Sequence, residues 1–338
     1  MKKYNKKVVY WLFSGCALIF IMVVVGGITR LTHSGLSMPD YKIISGTIPP
    51  INAEQWNEAF ELYKQYPEYK KLNSDISLQE FKGIFFWEWL HRVIGRLIGL
   101  VFIIPFIYFL ITKQLNITTI KKTIVLLILG GFQGFLGWYM VKSGLVDKPD
   151  VSHYRLAAHL ITAFITFAFT LWVALDLIYP IKKDINKKFR NIIRVSLAIL
   201  LLQIIYGAFV AGLDAGFIHN HWPMMSEGKF MHETVLIEKT PVYKNFIEGR
   251  SGVQFVHRIL AIIVVVSVII IYSIGKKIAN SIEQINGLNL LLILVGIQSL
   301  LGIFTILLQV PLWLGIAHQV GAFLLLGSMT FTLHRFSK

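Results

Sequence analysis

Cysteine and charged residues are both scarce in this 338-residue sequence. The single cysteine, Cys16, excludes an intrachain disulfide and gives no information about the redox compartment. Charged residues make up 15% of the chain and hydrophobic residues 55%, which excludes the composition of a soluble globular domain. The mean hydropathy of +0.63 indicates a membrane protein instead. The sequence also contains no glycine-rich phosphate loop and no nucleophile elbow.

Acidic residues are few as well, because 18 Asp and Glu stand against 33 Lys and Arg and leave a net charge of +15. An excess of this size can indicate a nucleic-acid partner, but these basic residues lie in alternate loops and form no binding face. The positive-inside rule then predicts cytoplasmic termini and an even number of crossings, with lipid rather than nucleic acid as the partner. The loop residues are Lys2, Lys3, Lys6, Lys7, Lys113, Lys121, Lys122, Lys182, Lys183, Lys187, Lys188, Arg190, Lys276, Lys277, Arg335 and Lys338.

Eight apolar runs reach the length of about 20 residues that a bilayer crossing requires. They lie near residues 8–28, 84–111, 122–142, 155–179, 192–213, 252–275, 288–309 and 314–334. The first run follows lysines, as in a signal peptide, but it is longer than an ordinary signal region and lacks a convincing cleavage site. We therefore expect it to be retained as span 1 of an all-α integral membrane protein with eight transmembrane helices.

An internal repeat relates the two halves of the chain. A Gly-x-Gln-x-x-Leu-Gly motif and two histidine positions recur in the same order, at offsets of about 160 residues. Four spans in each half give both halves the same orientation, which predicts two repeated four-helix bundles, residues 1–180 and residues 181–338. The matching positions are 131–137 with 296–302, His91-Arg92 with His257-Arg258, and His159 with His318.

Two connecting segments, about 29–83 and 214–250, are long enough to cover a site. The first mixes acidic residues with lysines and tyrosines, and we predict a partly helical outer cap there. Small residues at helical spacing on span 3 predict close helix approach in the membrane. They are Gly130, Gly131, Gly134 and Gly137.

The repeated histidines all come early in even-numbered spans, which run inward from the outer side. Ionisable groups at membrane depth cost a few kcal/mol each and usually mark a functional site. Two imidazoles at one depth on two helices can serve as axial ligands of haem iron. A hydrogen-bonded histidine in a helix interface is the simpler alternative for any one position, but four related positions favour haem ligation. The predicted ligand pairs are His91 with His159 and His257 with His318.

Arginines near these histidines are candidates for binding haem propionates, because carboxylates in a dry setting need charge-assisted partners. For Arg92 the alternative is an intrahelical ion pair with Glu88, four residues earlier. Both interpretations of Arg92 stay open at this point. The predicted propionate-binding residues are Arg92, Arg96 and Arg258.

The two halves differ beside their histidines. Glu88 stands three residues before His91, one turn away on the same helix face, whereas Gln254 stands three residues before His257. A carboxylate can accept or relay protons and an amide cannot. We therefore hypothesise that the first half carries out the chemistry, with Glu88 as the catalytic residue, and that the second half transfers electrons. Three loop histidines, His219, His221 and His232, form a weaker metal-site candidate, since no cysteine or carboxylate accompanies them at fixed spacing.

The motifs together resemble the haem A synthase family, in its cysteine-poor branch. The resemblance covers nearly the whole chain and is specific. The matching stretches are residues 26–32, 34–37, 80–82, 88–92, 95–96, 140–145, 151–152, 154–159, 254–258 and 317–319.

This resemblance implies an oxidoreductase that converts the C8 methyl of haem O to the formyl group of haem A by successive hydroxylations, for terminal oxidase assembly. It implies that His91 and His159 hold the substrate haem O, with Glu88 close to the reacting methyl. It further implies that His257 and His318 hold a haem b cofactor. A haem O synthase is the expected partner, and the cell (inner) membrane the expected location, with the haem sites toward the outer side.

Two rival functions share the histidines and the bundles. A cytochrome b-like electron carrier that oxidises quinol would not explain why Glu88 in the first half corresponds to Gln254 in the second half of the repeat. A transporter built on a parallel repeat would use the same charges as a pathway. The sequence is compatible with a homo-oligomer.

Overall fold

The computed structural model describes residues 5–39, 45–145, 150–179 and 186–337. Residues 40–44 of the predicted cap and five of the topology-determining lysines, Lys2, Lys3, Lys182, Lys183 and Lys338, lie outside the described residues. Eight long α-helices carry the predicted spans, and each is long and apolar enough to cross a membrane. The prediction of an all-α protein with eight membrane-spanning helices is therefore confirmed. Spans 1 to 8 are Lys6–Leu31, Leu78–Ile111, Ile117–Lys142, His153–Ile178, Lys187–Gly212, Arg250–Ile278, Ile282–Leu307 and Leu312–Arg335.

The odd-numbered spans share one construction. Each begins after an Asn or Ser whose side chain accepts a hydrogen bond from a backbone N–H of the first turn, at Asn5, Asn116, Asn186 and Ser281. All four are 26 residues long, which corresponds to about 39 Å at 1.5 Å per residue. They therefore begin at one end of the molecule and finish at the same level at the other end, which we call the histidine end.

Span 2 is longer than the others, with 34 residues. Ser77 and Glu80 form a capping box at its first turn, where the Ser77 side chain bonds to the Glu80 backbone and the Glu80 side chain bonds back. The helix begins six residues before the predicted start near residue 84, because hydropathy does not detect a polar, capped first turn. At about 51 Å it exceeds the roughly 30 Å of a bilayer's hydrocarbon core.

The first long loop packs on this extended part of span 2. It contains the helices Ala53–Lys64 and Pro67–Leu72, so it is partly helical, as the sequence predicted. Tyr63 from the first of these helices is buried against Phe81 and Phe85 of span 2. The aromatic cluster fixes the loop as a cap over the first turns of the helix that carries His91.

Helix contacts follow the same order in the two halves. Spans 1 to 4 contact one another as 1–2, 2–3, 3–4 and 4–1, and spans 5 to 8 do so as 5–6, 6–7, 7–8 and 8–5. The halves meet through spans 1 and 4 on one side and spans 5 and 8 on the other. At the centre Phe167 of span 4 stacks on Phe323 of span 8, with ring centroids 3.8 Å apart. The assignment of separate functional domains to residues 1–180 and 181–338 stays a prediction.

The buried side-chain amide of Asn245 links several parts of the second long loop to one another. The Asn245 side chain donates hydrogen bonds to the carbonyls of Leu236, Lys239 and Val242, and it accepts one from the Lys239 N–H. This loop contains the short helices Thr234–Ile237 and Asn245–Glu248 and leads directly into span 6. The described residues contain no β-strand, only an isolated bridge between Ser226 and Lys229.

Candidate functional site

The four repeated histidines lie on the even-numbered spans near the histidine end. Each is half-buried. The repeat brings them together in pairs, because His91 lies near His159 and His257 lies near His318. Each half of the molecule therefore contains one imidazole pair.

The pair in the second half has a spacing suited to a shared metal ion. The ring centroids of His257 and His318 are 6.4 Å apart, and the ring planes are inclined at 76°. A metal ion about 2 Å from one nitrogen of each ring would place the two ring centres roughly 6 Å apart. The rings therefore fit the two axial positions of a haem iron.

Ring nitrogens in both halves are buried without a hydrogen-bond partner among the described residues. They are Nδ1 of His159 and Nδ1 of His257. A buried polar atom without a partner is costly unless a ligand or water engages it. These orphaned nitrogens are an independent indication that the pairs hold a group that bonds to imidazole.

A glycine faces each of the four rings. A Cβ atom added at any of these glycines would lie 2.8–3.3 Å from a ring atom of the facing histidine, which is closer than an ordinary contact. Each glycine lies five residues before the end of its 26-residue span. The facing pairs are Gly26 with His91, Gly137 with His159, Gly207 with His257, and Gly302 with His318.

The glutamine of the repeated motif fastens the helix of the second histidine in each pair. Nε2 of Gln133 donates to the carbonyl of His159 at 2.8 Å, and Nε2 of Gln298 donates to the carbonyl of His318 at 3.0 Å. Gln298 also lies 3.2 Å from Nδ1 of the His318 ring. The Gly-x-Gln-x-x-Leu-Gly repeat therefore supplies both the glutamine that holds the histidine helix and the glycine that makes room for its ring.

The structure corrects the interpretation of the other glycines on span 3. At Gly130, Gly131 and Gly134 an added Cβ would meet no described atom within 4 Å, so these positions do not mediate close helix approach. Gly296, the equivalent of Gly131 in span 7, is open in the same way. Gly137 is the exception, and its neighbour is the His159 ring.

Glu88 is buried and fully engaged. One carboxylate oxygen accepts hydrogen bonds from the Ser37 hydroxyl at 2.8 Å and from the Met38 N–H at 2.7 Å. The other oxygen pairs with Nη2 of Arg92 at 2.5 Å. Arg92 also donates to the Met38 carbonyl at 2.6 Å. The Glu88–Arg92 pair therefore fixes the start of the first long loop against span 2, one turn from His91.

Gln254 and Arg258 hold the second long loop in the same manner, but Gln254 has the opposite hydrogen-bond polarity to Glu88, whereas Arg258 donates to loop carbonyls as Arg92 does. Nε2 of Gln254 donates to the carbonyls of Ala215 and Ile218, at 2.9 and 2.5 Å. Arg258 donates to the carbonyl of His219 at 2.6 Å and contacts further loop carbonyls. The first loop offers donors to a carboxylate, whereas the second loop offers acceptors to an amide.

Each predicted propionate-binding arginine has described contacts within the protein. For Arg92 the intrahelical pair with Glu88, which the sequence left open, is formed. Arg258 is buried against loop carbonyls and lies 5.9 Å from the centre of the Trp222 ring. Arg96 lies along the first loop, with Nη1 3.5 Å from the Gly46 carbonyl. No described contact tests propionate binding, which stays a prediction for all three.

The loop histidines form a hydrogen-bonded cluster. The His219 and His232 rings lie 4.5 Å apart, and His219 contacts the Ser251 hydroxyl at 3.0 Å while His232 contacts that of Thr234 at 2.8 Å. Burial, followed by the nearby charge of His232, lowers the pKa of His219. Across the part of the chain that the structure describes, no group of three or more His, Cys, Asp or Glu residues could hold a metal ion.

Glu68 in the cap is a second buried acidic residue, in addition to Glu88 of span 2. Burial raises the pKa of Glu68 to about 8, although a hydrogen bond from Tyr63 acts in the opposite direction. Its Oε2 atom is buried with no hydrogen-bond partner in the described ranges. Sequence reasoning placed Glu68 only among the acidic residues of a cap, because its burial depends on how Tyr63 packs on span 2.

Several residues of the site have no signal of their own in the sequence. Gly207 lies in no recognised motif, and Gly26 belongs to a stretch noted only for its resemblance to a family. Ser37 and Met38 engage Glu88 through the path of the loop. The repeated motif was the signal that could identify Gln133 and Gln298, since its two copies lie on the spans that pack beside His159 and His318.

Comparison with known proteins agrees with this arrangement. The family model described as cytochrome oxidase assembly protein, COX15-CtaA, matches residues 9–330. Relatives named heme A synthase from Flavobacterium psychrophilum and Flavobacterium johnsoniae are 61% and 60% identical to the chain, cover 99% and 100% of it, and are themselves covered in full. A relative of the same name from Parvibaculum lavamentivorans is 43% identical, over 98% of this chain and 94% of its own length. The chain therefore belongs to the haem A synthase family.

Proposed function

We propose that this protein is a haem A synthase, an oxidoreductase that converts the C8 methyl group of haem O to the formyl group of haem A for terminal oxidase assembly. The observation that carries the proposal is the duplicated imidazole pair, in which every ring faces a glycine on the preceding odd-numbered span. Two equivalent pairs suit two macrocycles, one modified and one retained. The close, full-length relatives named heme A synthase support the same conclusion.

The two pairs are assigned different roles. We assign His91 and His159 to the substrate haem O, and His257 and His318 to a resident haem b that transfers electrons. The basis is the difference between Glu88 and Gln254, since only the first pair has a carboxylate one turn from a ligand. Residues 1–180 would accordingly form the substrate half and residues 181–338 the cofactor half.

The protein groups have defined tasks in this proposal. When bound, the haem irons supply the redox chemistry. The histidines hold the macrocycles, and the facing glycines leave room for the rings to turn toward the iron. Glu88 accepts a proton released near the substrate, while Arg92 and the Ser37 hydroxyl fix the direction of its carboxylate. Arg92, Arg96 and Arg258 are the proposed propionate partners, which requires Arg92 to share its guanidinium between Glu88 and the ligand.

We also propose a location and an orientation for the protein in the cell. Alternating basic loops favour the inner membrane with cytoplasmic termini, so that the histidine end faces outward. A substrate as apolar as haem O would enter from the lipid or from the enzyme that makes it. We therefore propose a haem O synthase as the partner.

Reconstitution tests the main proposal. The chain is expressed together with a haem O synthase in a host that lacks haem A, and extracted pigments are separated by chromatography. Haem A should appear only when both proteins are present. A host with the haem O synthase and the His91→Ala variant provides the matched control.

The pigments in the purified protein separate the rival functions. Haem O or haem A beside haem b supports the synthase. Haem b alone, with no haem A formed in the host, would favour a cytochrome b-like electron carrier. A protein without haem would favour a transporter and would overturn the assignment of all four histidines.

A further inference from the structure

A buried arginine lies at the end of the molecule opposite the histidines. Arg335 is the last residue of span 8, and its side chain is fully buried. None of its three guanidinium nitrogens has a hydrogen-bond partner among the described residues. The protein therefore buries a permanent positive charge with five N–H donors at this end and offers them no described acceptor.

The described surroundings compensate this charge only in part. The guanidinium lies over the Tyr179 ring, 3.9 Å from its centre, which provides a cation–π contact. The carbonyl end of span 8 adds a weak favourable dipole. Neither contact supplies a hydrogen-bond acceptor, and an ion taken out of water requires acceptors as well as attraction. The Arg335 site is therefore incomplete without an anion.

Two described carboxylates lie at this end, Asp176 of span 4 and Glu283 of span 7. Asp176 accepts hydrogen bonds from Lys122 and from Nε2 of His334, which is fully buried. Neither carboxylate accepts a hydrogen bond from Arg335. Arg335 therefore has no hydrogen-bonded counterion among the described residues.

Two further donors without partners lie on the chain segments next to Arg335. Nε of Arg190, at the start of span 5, and Oγ of Ser337 are both buried with no hydrogen-bond partner in the described part of the chain. The adjacent rings of Phe189 and Phe336 pack together with centroids 4.8 Å apart, which brings these two chain segments side by side. Unmet donors are thus concentrated at the junction of spans 5 and 8.

We propose that Arg335 is the centre of a binding site for a phosphate group, supplied in the bilayer by the headgroup of an anionic phospholipid. A phosphate presents several acceptor oxygens to a guanidinium fork, which matches the unmet donors. Basic sites between membrane helices on the cytoplasmic side characteristically bind anionic headgroups. The position at the last turn of span 8 places the site at headgroup depth, and exposed Lys187 and Lys188 begin span 5 beside it.

Thermal unfolding of the purified full-length protein tests the site. The wild type and Arg335→Gln are compared in a neutral detergent without lipid, then with phosphatidylglycerol, phosphatidylcholine or inorganic phosphate. Phosphatidylglycerol should raise the Tm of the wild type by several degrees, and phosphatidylcholine should not. Arg335→Gln should lose this response, and without lipid it should be at least as stable as the wild type, because it no longer buries an uncompensated charge.

Controls make the result decisive. Arg194→Gln removes an exposed arginine one turn from Arg190 and should respond like the wild type. Arg335→Lys keeps the charge, loses the fork and should retain part of the response. A response to inorganic phosphate as large as that to phosphatidylglycerol would identify a free anion as the ligand. An equal response to both lipids, or an Arg335→Gln variant that responds as the wild type does, would overturn the proposal.

Discussion

The two halves of the molecule hold their long loops with the same two positions of span 2 and span 6. The arginine position donates to loop carbonyls in both halves, whereas the position of Glu88 and Gln254 has opposite hydrogen-bond polarity. In the first half the Glu88 carboxylate accepts from Ser37 and Met38. In the second half the Gln254 amide donates to two backbone carbonyls. The difference teaches that Glu88 and Gln254 are each matched to their own loop, so a change from one to the other alters structure as well as chemistry. Any test of Glu88 as a proton carrier has to separate these two effects.

Removing the histidines should produce the largest difference between the halves. His257→Ala and His318→Ala should lower bound haem b at least tenfold, and haem A formation should be lost with it. His91→Ala and His159→Ala should abolish haem A formation and leave haem b near the wild-type content. Pigment extraction followed by chromatography measures both quantities, with the exposed His33→Ala as a control. Equal loss of haem b in all four variants would contradict the division of roles.

Exchanging the acid and the amide should have the next largest effect. Glu88→Gln should lower haem A formation by more than about 100-fold, the range of general acid–base contributions, and leave haem spectra nearly unchanged.

Gln254→Glu should destabilise the second half by about 2–4 kcal/mol, since it places a charge against the carbonyls of Ala215 and Ile218. Denaturation together with haem b content measures that loss.

Ser37→Ala separates proton transfer from loop anchoring. It removes one hydrogen bond to Glu88 and keeps the carboxylate, so we expect a loss of haem A formation of tenfold or less. A loss as large as that of Glu88→Gln would mean that the anchored loop, and not the carboxylate, limits the reaction.

Adding a methyl group at a glycine that faces a histidine ring should disturb haem binding by an intermediate amount. The disturbance should be larger in the second half than in the first. A methyl group at Gly302 would lie 2.8 Å from Cε1 of His318, whereas one at Gly137 would lie 3.3 Å from Cε1 of His159. Gly302→Ala should therefore weaken haem b binding by about tenfold, within the range typical of changes beside a metal ligand, and Gly137→Ala should disturb its site less. Optical spectra and haem titration measure both. Gly296→Ala and Gly131→Ala are the matched controls, and a comparable disturbance in them would contradict the role of ring clearance.

The smallest expected effect on the histidine pairs concerns the loops and their response to pH. The cap buries Glu68, while no described acid of the second loop is buried. With its pKa raised to about 8, folded Glu68 keeps a proton that the unfolded cap releases, so the cap loses stability as pH rises from about 4.5 to 8. The loss is at most about 1.4 kcal/mol per pH unit. Hydrogen exchange of the cap should show this trend, Glu68→Gln should flatten it, and exposed Glu61→Gln should not.

The sequence predicted the features that repeat and missed those that depend on the path of the loops. The eight spans follow from apolar runs, and the predicted run at 8–28 lies within Lys6–Leu31. The histidine pairs follow from the repeat, because equivalent positions of equivalent helices must lie at the same level. The partners of Glu88 could not be predicted, since Ser37 and Met38 reach it through a turn whose direction no local pattern encodes.

The same limit explains the errors. The glycines of span 3 were interpreted from spacing alone, and spacing does not reveal whether a helix, a ring or open space lies opposite. Three of them face open space, and Gly137 faces His159. The pairing of His334 with Asp176 could not be predicted either, because it depends on how spans 4 and 8 pack against each other.

The length of span 2 links the cap to the level of the histidines. Phe81 and Phe85 in its first turns carry the aromatic contacts of the cap, and His91 lies ten residues beyond Phe81 on the same unbroken helix. A helix transmits rotation and axial displacement with little loss over such a distance, which is about 15 Å. A protein or lipid surface that tilts the cap therefore also moves the His91 imidazole, so the geometry of the first pair depends on what rests against the cap.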